Sequence, residues 1–243
     1  MTDIFDDLDA EYRRLDAVLA SLTDEQWDRP SGAEGWSVAD VVLHLAQTEE
    51  MISGPSEGRE AFLPSAETTV DGMAADMVAA ERGAPAADLL ARWRAAALAT
   101  PDALRDQPPG TRLPWVRMSL SPRTLATTRL AEHWAHALDI TVPLGVPYPD
   151  TERLRHIAWL AHRTLPYAFS VEGLPDAPVF CDLTAPDGSR WTLGDPAAPS
   201  RISGPASDFC RLGARRLTPA QTGLTAEGPH GADALRVLRN YAA

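Results

Sequence analysis

The chain is predicted to be mainly α, with a helical first two thirds followed by a small α+β module. Three observations carry this reading. From Asp3 to Leu22 the apolar positions Ile4, Leu8, Tyr12, Leu15, Val18, Leu19 and Leu22 recur at helical spacing. A second, longer helix opens at Ser121-Pro122, with Ser121 as its N-cap and Pro122 at the first helical position, and runs to about Thr141. Beyond residue 170 the pattern changes: Pro178–Thr184 alternates like a strand, Pro186-Asp187-Gly188 reads as a turn and Trp191–Leu193 as a second strand. The expected domains are residues 1–170 and 171–243.

The remaining elements follow in order. Thr23 caps a short turn ending at Trp27, and Pro30–Gly35 is a loop. Another helix opens at Ser37, where Asp40, three residues on, completes a capping box, and His44 falls two turns into it. Gly54–Pro64 is a Gly/Pro-rich break, and Thr68–Glu81 is helical. After Arg82-Gly83-Ala84-Pro85, helix resumes over Ala86–Ala99, with Leu89, Leu90, Trp93 and Leu98 on an apolar face. Thr100–Leu120 is a long proline-bearing connection. A helix is expected over Thr151–Ala168, then a third short strand over Arg201–Ser203 and a helix over Gly204–Leu217. Leu224–Glu227 and Asp233–Tyr241 complete the module as strand and helix, and no internal repeat is evident.

Composition narrows the function classes. A net charge of −12 argues against a nucleic-acid partner, because phosphate binding needs a concentrated basic surface. All the basic side chains apart from histidine are arginine. No apolar run reaches the ~18 residues of a membrane span, and the acidic start Met1–Asp7 is unlike a signal peptide, so a cytoplasmic protein is expected. Cys181 and Cys210 lack metal-ligand spacing and are expected as buried apolar residues.

The residues that suggest chemistry lie in Arg129–Ile140. Glu132 and His136 are four apart, which stacks a carboxylate and an imidazole on one helix face. His44 is the candidate third ligand from another helix. Two histidines and one carboxylate leave a coordination position open, as catalytic sites do. His133 sits about 100° round the helix from Glu132 and is not expected to be a ligand. Trp36 and Trp134 read as core, and His156, His162 and His230 as structural.

Gly35-Trp36-Ser37-Val38-Ala39-Asp40-Val41-Val42-Leu43-His44-Leu45-Ala46 resembles the first metal-ligand helix of the DinB-like superfamily. More closely it resembles the amino-terminal domain of the mycothiol-dependent maleylpyruvate isomerase family. In that family a later helix supplies a Glu-x3-His pair, commonly followed by an acidic residue, and Glu132, His136 and Asp139 match that pattern. Gly204–Cys210 and Arg216 look like the family's carboxyl-terminal module.

The resemblance implies an up-down-up-down four-helix bundle with a metal between helices, held by His44, Glu132 and His136, and a thiol cofactor, mycothiol. A free thiol with a pKa of about 8.5 is mostly protonated at neutral pH, and a coordinating cation favours its thiolate. In the isomerase the thiolate adds to a conjugated double bond, the intermediate rotates and the thiol leaves; in other members the thiol is transferred to the electrophile. Arg129, Trp115 and Arg216 are the candidate substrate- or thiol-binding residues, with Arg82 and Arg211 as further arginines and Phe62 as a second aromatic lining. Asp139 is placed to orient His136.

The expected metal is zinc, with nickel and iron left open by ligand type alone. A rival reading drops the thiol and has the metal act as a Lewis acid in a cyclase, hydrolase or isomerase of secondary metabolism. Ferrous oxygen chemistry, a non-catalytic metal-stabilised module and a metal-free scaffold rank below it; the last would leave Glu132 buried and unpaired.

Overall fold

The computed structural model describes residues 3–53, 69–116 and 118–240. The break at 54–64, with Phe62, lies outside them. Packing divides the chain into two compact units, Met1–Tyr148 and Pro149–Ala242.

The first unit is helical. Helix α1 (Ile4–Leu19) starts where the Asp3 side chain accepts from Phe5 N, and it buries Ile4, Phe5, Leu8, Tyr12, Leu15 and Leu19. The short α2 (Asp24–Trp27) carries a full capping box from Thr23 and Gln26. Helix α3 (Val38–Ser53) begins as expected: Ser37 N donates to Asp40 Oδ2 at 2.9 Å and Asp40 N to Ser37 Oγ at 3.2 Å. Helix α4 (Val70–Glu81) is capped by Thr69, and α5 (Ala86–Ala97) follows Pro85 and buries Leu89 and Trp93. Leu98, expected on the buried face, ends α5 as its exposed C-cap.

The connection at 100–120 holds more structure than the sequence pattern suggests. It contains α6 (Thr100–Arg105) and an antiparallel hairpin, β1 (Leu113–Trp115) and β2 (Met118–Leu120). Pro101 sits in the first turn of α6, where its missing N–H costs nothing. The hairpin turns through Val116 at φ 49°, a left-handed conformation that is uncommon for a β-branched residue.

The long helix α7 (Pro122–Leu144) is capped by Ser121 and closed by Gly145 in the left-handed conformation. It carries Pro143 in its last turn. Helices α1, α3, α5 and α7 pack as a bundle, α3 on α5 and α7, and α1 on α7 and α5. No helix among the described residues is long and apolar enough to cross a membrane.

The second unit takes in α8 (Leu154–Arg163) and α9 (Leu165–Val171), so the units divide at 148/149 while the change in sequence pattern falls near 170. These two helices replace the single one expected over Thr151–Ala168, because Pro166 has no N–H to continue the ladder. Strands β3 (Val179–Thr184), β4 (Arg190–Leu193), β5 (Ser200–Pro205) and β6 (Thr225–Glu227) form one sheet in the order β4-β3-β5-β6. Only the central β3–β5 pair is parallel. Helix α10 (Ala206–Gly213) crosses between β5 and β6, and α11 (Gly231–Val237) follows β6. Helix α10 is shorter than its sequence pattern suggests because Arg215 turns left-handed, at φ 58°, and ends it. Cys181 and Cys210 are both buried free thiols, and burial holds each thiol well above its ordinary pKa.

Candidate metal centre

Helices α3 and α7 bring His44, Glu132 and His136 together inside the first unit. His44 Nε2 lies 3.0 Å from Glu132 Oε1, and His136 Nε2 lies 3.4 Å from the same oxygen. One ligand atom from each residue falls within 4.8 Å of the other two, the one such group found among the described residues. Both histidines present Nε2 to the carboxylate, so three donors converge where a divalent ion would sit, and their chemistry suits one.

Asp139 fixes the orientation of His136. It accepts at 2.9 Å from Nδ1–H, which leaves Nε2 facing Glu132. The two imidazoles differ electrostatically. Burial pushes His136 down, but hydrogen bonds to Asp139 and Glu132 outweigh it and raise its pKa to about 9. Burial wins at His44, whose pKa is lowered despite the Glu132 contact. Burial also works against the charge on Glu132, yet hydrogen bonds from His136 and His44 hold it well below the usual carboxylate range. The triad is thus a carboxylate shared by one protonated and one neutral imidazole, a charge distribution that a cation would take over.

His133 points elsewhere, as the helical angle requires. Trp93 Nε1–H donates to its Nε2 at 3.1 Å, so Nδ1 carries the hydrogen and donates to Arg129 O at 3.0 Å. Burial, with the Arg129 charge second, keeps this histidine neutral.

One turn along from the triad lies a buried polar junction that the sequence did not reveal. Glu49 accepts from Tyr12 OH at 2.8 Å, Arg129 Nε at 2.7 Å and Thr100 Oγ1 at 2.6 Å. Arg129 Nη2 donates to Thr48 Oγ1 at 2.7 Å, and the Trp115 ring lies 5.1 Å from the guanidinium carbon. Arg129 and Trp115, both singled out from the sequence, therefore stand together near the triad, with the arginine already held by Glu49.

The other candidates are placed differently. Arg82 donates to Asp40 and to the Gly35 carbonyl. In the second unit Arg211 forms a bidentate pair with Asp150, and Arg216 donates to the Ala214 carbonyl. Trp134 is core, but Trp36 is not: its half-buried ring packs 5.1 Å from His44 and 6.3 Å from His136. Its place directly before the cap of the ligand-bearing helix is the signal that could have found it.

Known proteins resemble this chain in sequence and in fold. Residues 8–141 match the family described as mycothiol maleylpyruvate isomerase N-terminal domain. Two uncharacterized proteins of Mycobacterium tuberculosis, from strains CDC 1551 / Oshkosh and ATCC 25618 / H37Rv, are each 34% identical over 97% of this chain and 94% of their own. Crystal structures of the mycothiol-dependent maleylpyruvate isomerase and of a histidine-to-alanine mutant share the fold, with TM-score 0.61, 14% identity, and coverage of 95% of this chain and 99% of theirs. By family match and by relatives spanning nearly its whole length, the chain belongs to the mycothiol-dependent maleylpyruvate isomerase family.

Proposed function

We propose that the protein is a cytoplasmic metal-dependent enzyme in which His44, Glu132 and His136 hold one divalent ion, zinc being the best fit. The reaction would be of the isomerase or S-transferase type on an electrophilic small molecule, with a thiol such as mycothiol as co-substrate. The convergence of three donors within 4.8 Å, backed by Asp139 on the far side of His136, is the observation that carries this reading. When bound, the ion would favour a thiolate or hydroxide at neutral pH and polarise an electrophile.

The chain's own residues supply the rest. Asp139 holds His136 in one ring orientation and keeps Nδ1 protonated, so that Nε2, on losing its proton, is the atom that would meet the ion. Glu132 supplies the negative charge that offsets part of the cation. Burial and the neighbouring Arg129 charge keep His133 neutral, with Trp93 donating to its Nε2, so it adds no second positive charge beside the ion. Arg129 is buried and paired with Glu49, so its part is to back the Trp115 ring, and the half-buried Trp115 is the face suited to a substrate or thiol.

The test is elemental analysis of the purified protein beside a His44→Ala/His136→Ala double variant, followed by titration with a low-molecular-weight thiol. Near-stoichiometric metal, lost in the variant, is expected, with a thiol-dependent change at the metal. Activity that persists without any thiol would assign Lewis-acid chemistry instead. Absence of metal from the wild-type protein would refute the proposal.

A further inference from the structure

We propose that the loop Ser31–Ser37 is a positioning device for the metal ligands, docked on α7 at a backbone carbonyl that Pro143 leaves open. Through this docking, Gly32 and Trp36 set how tightly, and with how much water, a divalent ion is held. The inference rests on the metal reading above and goes beyond it, assigning three residues outside the ligand set.

The chain of causes starts in the sequence. Pro143 lies inside α7 and has no N–H to give to the carbonyl four residues earlier, which is that of Asp139. Gly32 N–H fills the gap, donating to Asp139 O at 2.7 Å. Space is tight there: a Cβ at Gly32 would lie 3.1 Å from both the Cα and Oδ1 of Asp139, so Asp139 would have to give way by a few tenths of an ångström. The other oxygen of that carboxylate, Oδ2, is the one that receives His136 Nδ1–H. Any side chain at Gly32 would therefore push directly on the group that aims His136.

The loop is stiff enough to transmit this placement. Ser31 N and Oγ both donate to Trp36 O at 2.9 Å, and Pro30 and Ser37 form a β-bridge. Arg82 ties Gly35 from the other side. With Gly32 docked, Trp36 is fixed against a ligand from each helix, tilted beside His44 and near-parallel to His136 with 22° between the planes. Its indole sets an apolar face beside both rings, which would keep water from that side. Surroundings of this kind control solvent access and ligand orientation at metal sites.

The experiment uses the full chain with Zn²⁺ and Co²⁺ as probes, measuring Zn²⁺ affinity by competition with a chromophoric chelator and coordination by the visible Co²⁺ spectrum. Pro143→Ala restores an N–H that reclaims Asp139 O for the helix, and Gly32→Ala crowds the carboxylate. Each is expected to weaken Zn²⁺ binding about 10-fold, the scale of losses when a ligand's hydrogen-bond partner is disturbed. Trp36→Ala should do the same and pale the Co²⁺ bands as water enters, while Trp36→Phe restores most of both. Pro143 is exposed, so its alanine variant should keep the thermal stability of the metal-free protein, which separates positioning from folding. Zn²⁺ affinity within about twofold of wild type in Pro143→Ala and Gly32→Ala, with an unchanged Co²⁺ spectrum, would overturn the proposal. A wild-type chain that binds no Zn²⁺ would instead overturn the metal reading, and this proposal with it.

Discussion

Replacing Glu49 by glutamine preserves its shape and removes its charge, and the surroundings make the outcome calculable. Glu49 is 0% exposed and Arg129 2%, so neither can recover hydration without opening the bundle. Oε1 receives Tyr12 OH and Arg129 Nε, and Oε2 receives Thr100 Oγ1. A carboxamide offers one acceptor oxygen and turns an NH2 group towards at least one of those donors. Breaking a buried ion pair from one side costs about 3–5 kcal/mol, because the remaining charge is uncompensated. At ~2–4 °C per kcal/mol for a chain of this size, the melting temperature should fall by about 6–20 °C. Thermal unfolding of the metal-free protein followed by far-UV circular dichroism measures this directly. The double variant Glu49→Leu/Arg129→Met removes both charges and should recover a substantial part of the loss. A glutamine variant within about 1 kcal/mol of wild type would show that the guanidinium reaches water, and would refute the dry junction argued here.

Three further outcomes follow from the same structure. His136 has a folded pKa of about 9, raised from an unfolded value of about 6.5. Its contribution to metal-free stability is therefore complete below about pH 6.5 and lost as pH rises through about 9. An incoming metal must displace its Nε2 proton, so Zn²⁺ affinity should climb about tenfold per pH unit across that window, by calorimetry in buffers of differing ionisation enthalpy, and a flat profile would count against the site. Arg215 occupies a left-handed helix-terminating position at φ 58°, so Arg215→Gly should stabilise the second unit by about 0.5–1 kcal/mol in urea unfolding, and a destabilised variant would contradict that account. Gly228→Ala should cost at least about 2 kcal/mol, since φ is +81° and the new Cβ would fall 2.0 Å from Pro199 O; unchanged stability would mean that the β6 turn is not built as described.

Much of the site was legible because it depends on local rules. The Ser121-Pro122 start, the Ser37/Asp40 capping box and the four-residue spacing of Glu132 and His136 all act within a turn or two of helix. These alone put two candidate donors on one face and His44 at a definite depth in another helix. Tertiary effects were not legible. Nothing about Glu49, within Thr48-Glu49-Glu50, distinguishes it from a solvated carboxylate until α7 delivers Arg129 from 80 residues away. Helix α6 and the β1–β2 hairpin are too short to show a period, and they hold through contacts made elsewhere. Pro166 could have divided α8 from α9, but the apolar spacing of Leu154, Ile157, Leu160 and Leu165 runs through it undisturbed. Trp36 reads as core by composition and becomes part of the site only through the docking of its loop.

The Glu49 junction also acts as a gauge of axial alignment. Its partners come from α1, α6 and α7, so four segments of chain must reach one height along the bundle to satisfy a single carboxylate. A slide of α3 by one turn, about 5.4 Å, would bring Leu45 or Ile52 opposite Arg129 and leave a cation facing hydrocarbon. The same slide would carry His44 away from Glu132 by the same distance. Misalignment is thus rejected by electrostatics within the bundle itself, and a bundle that closes does so with its three candidate donors already level.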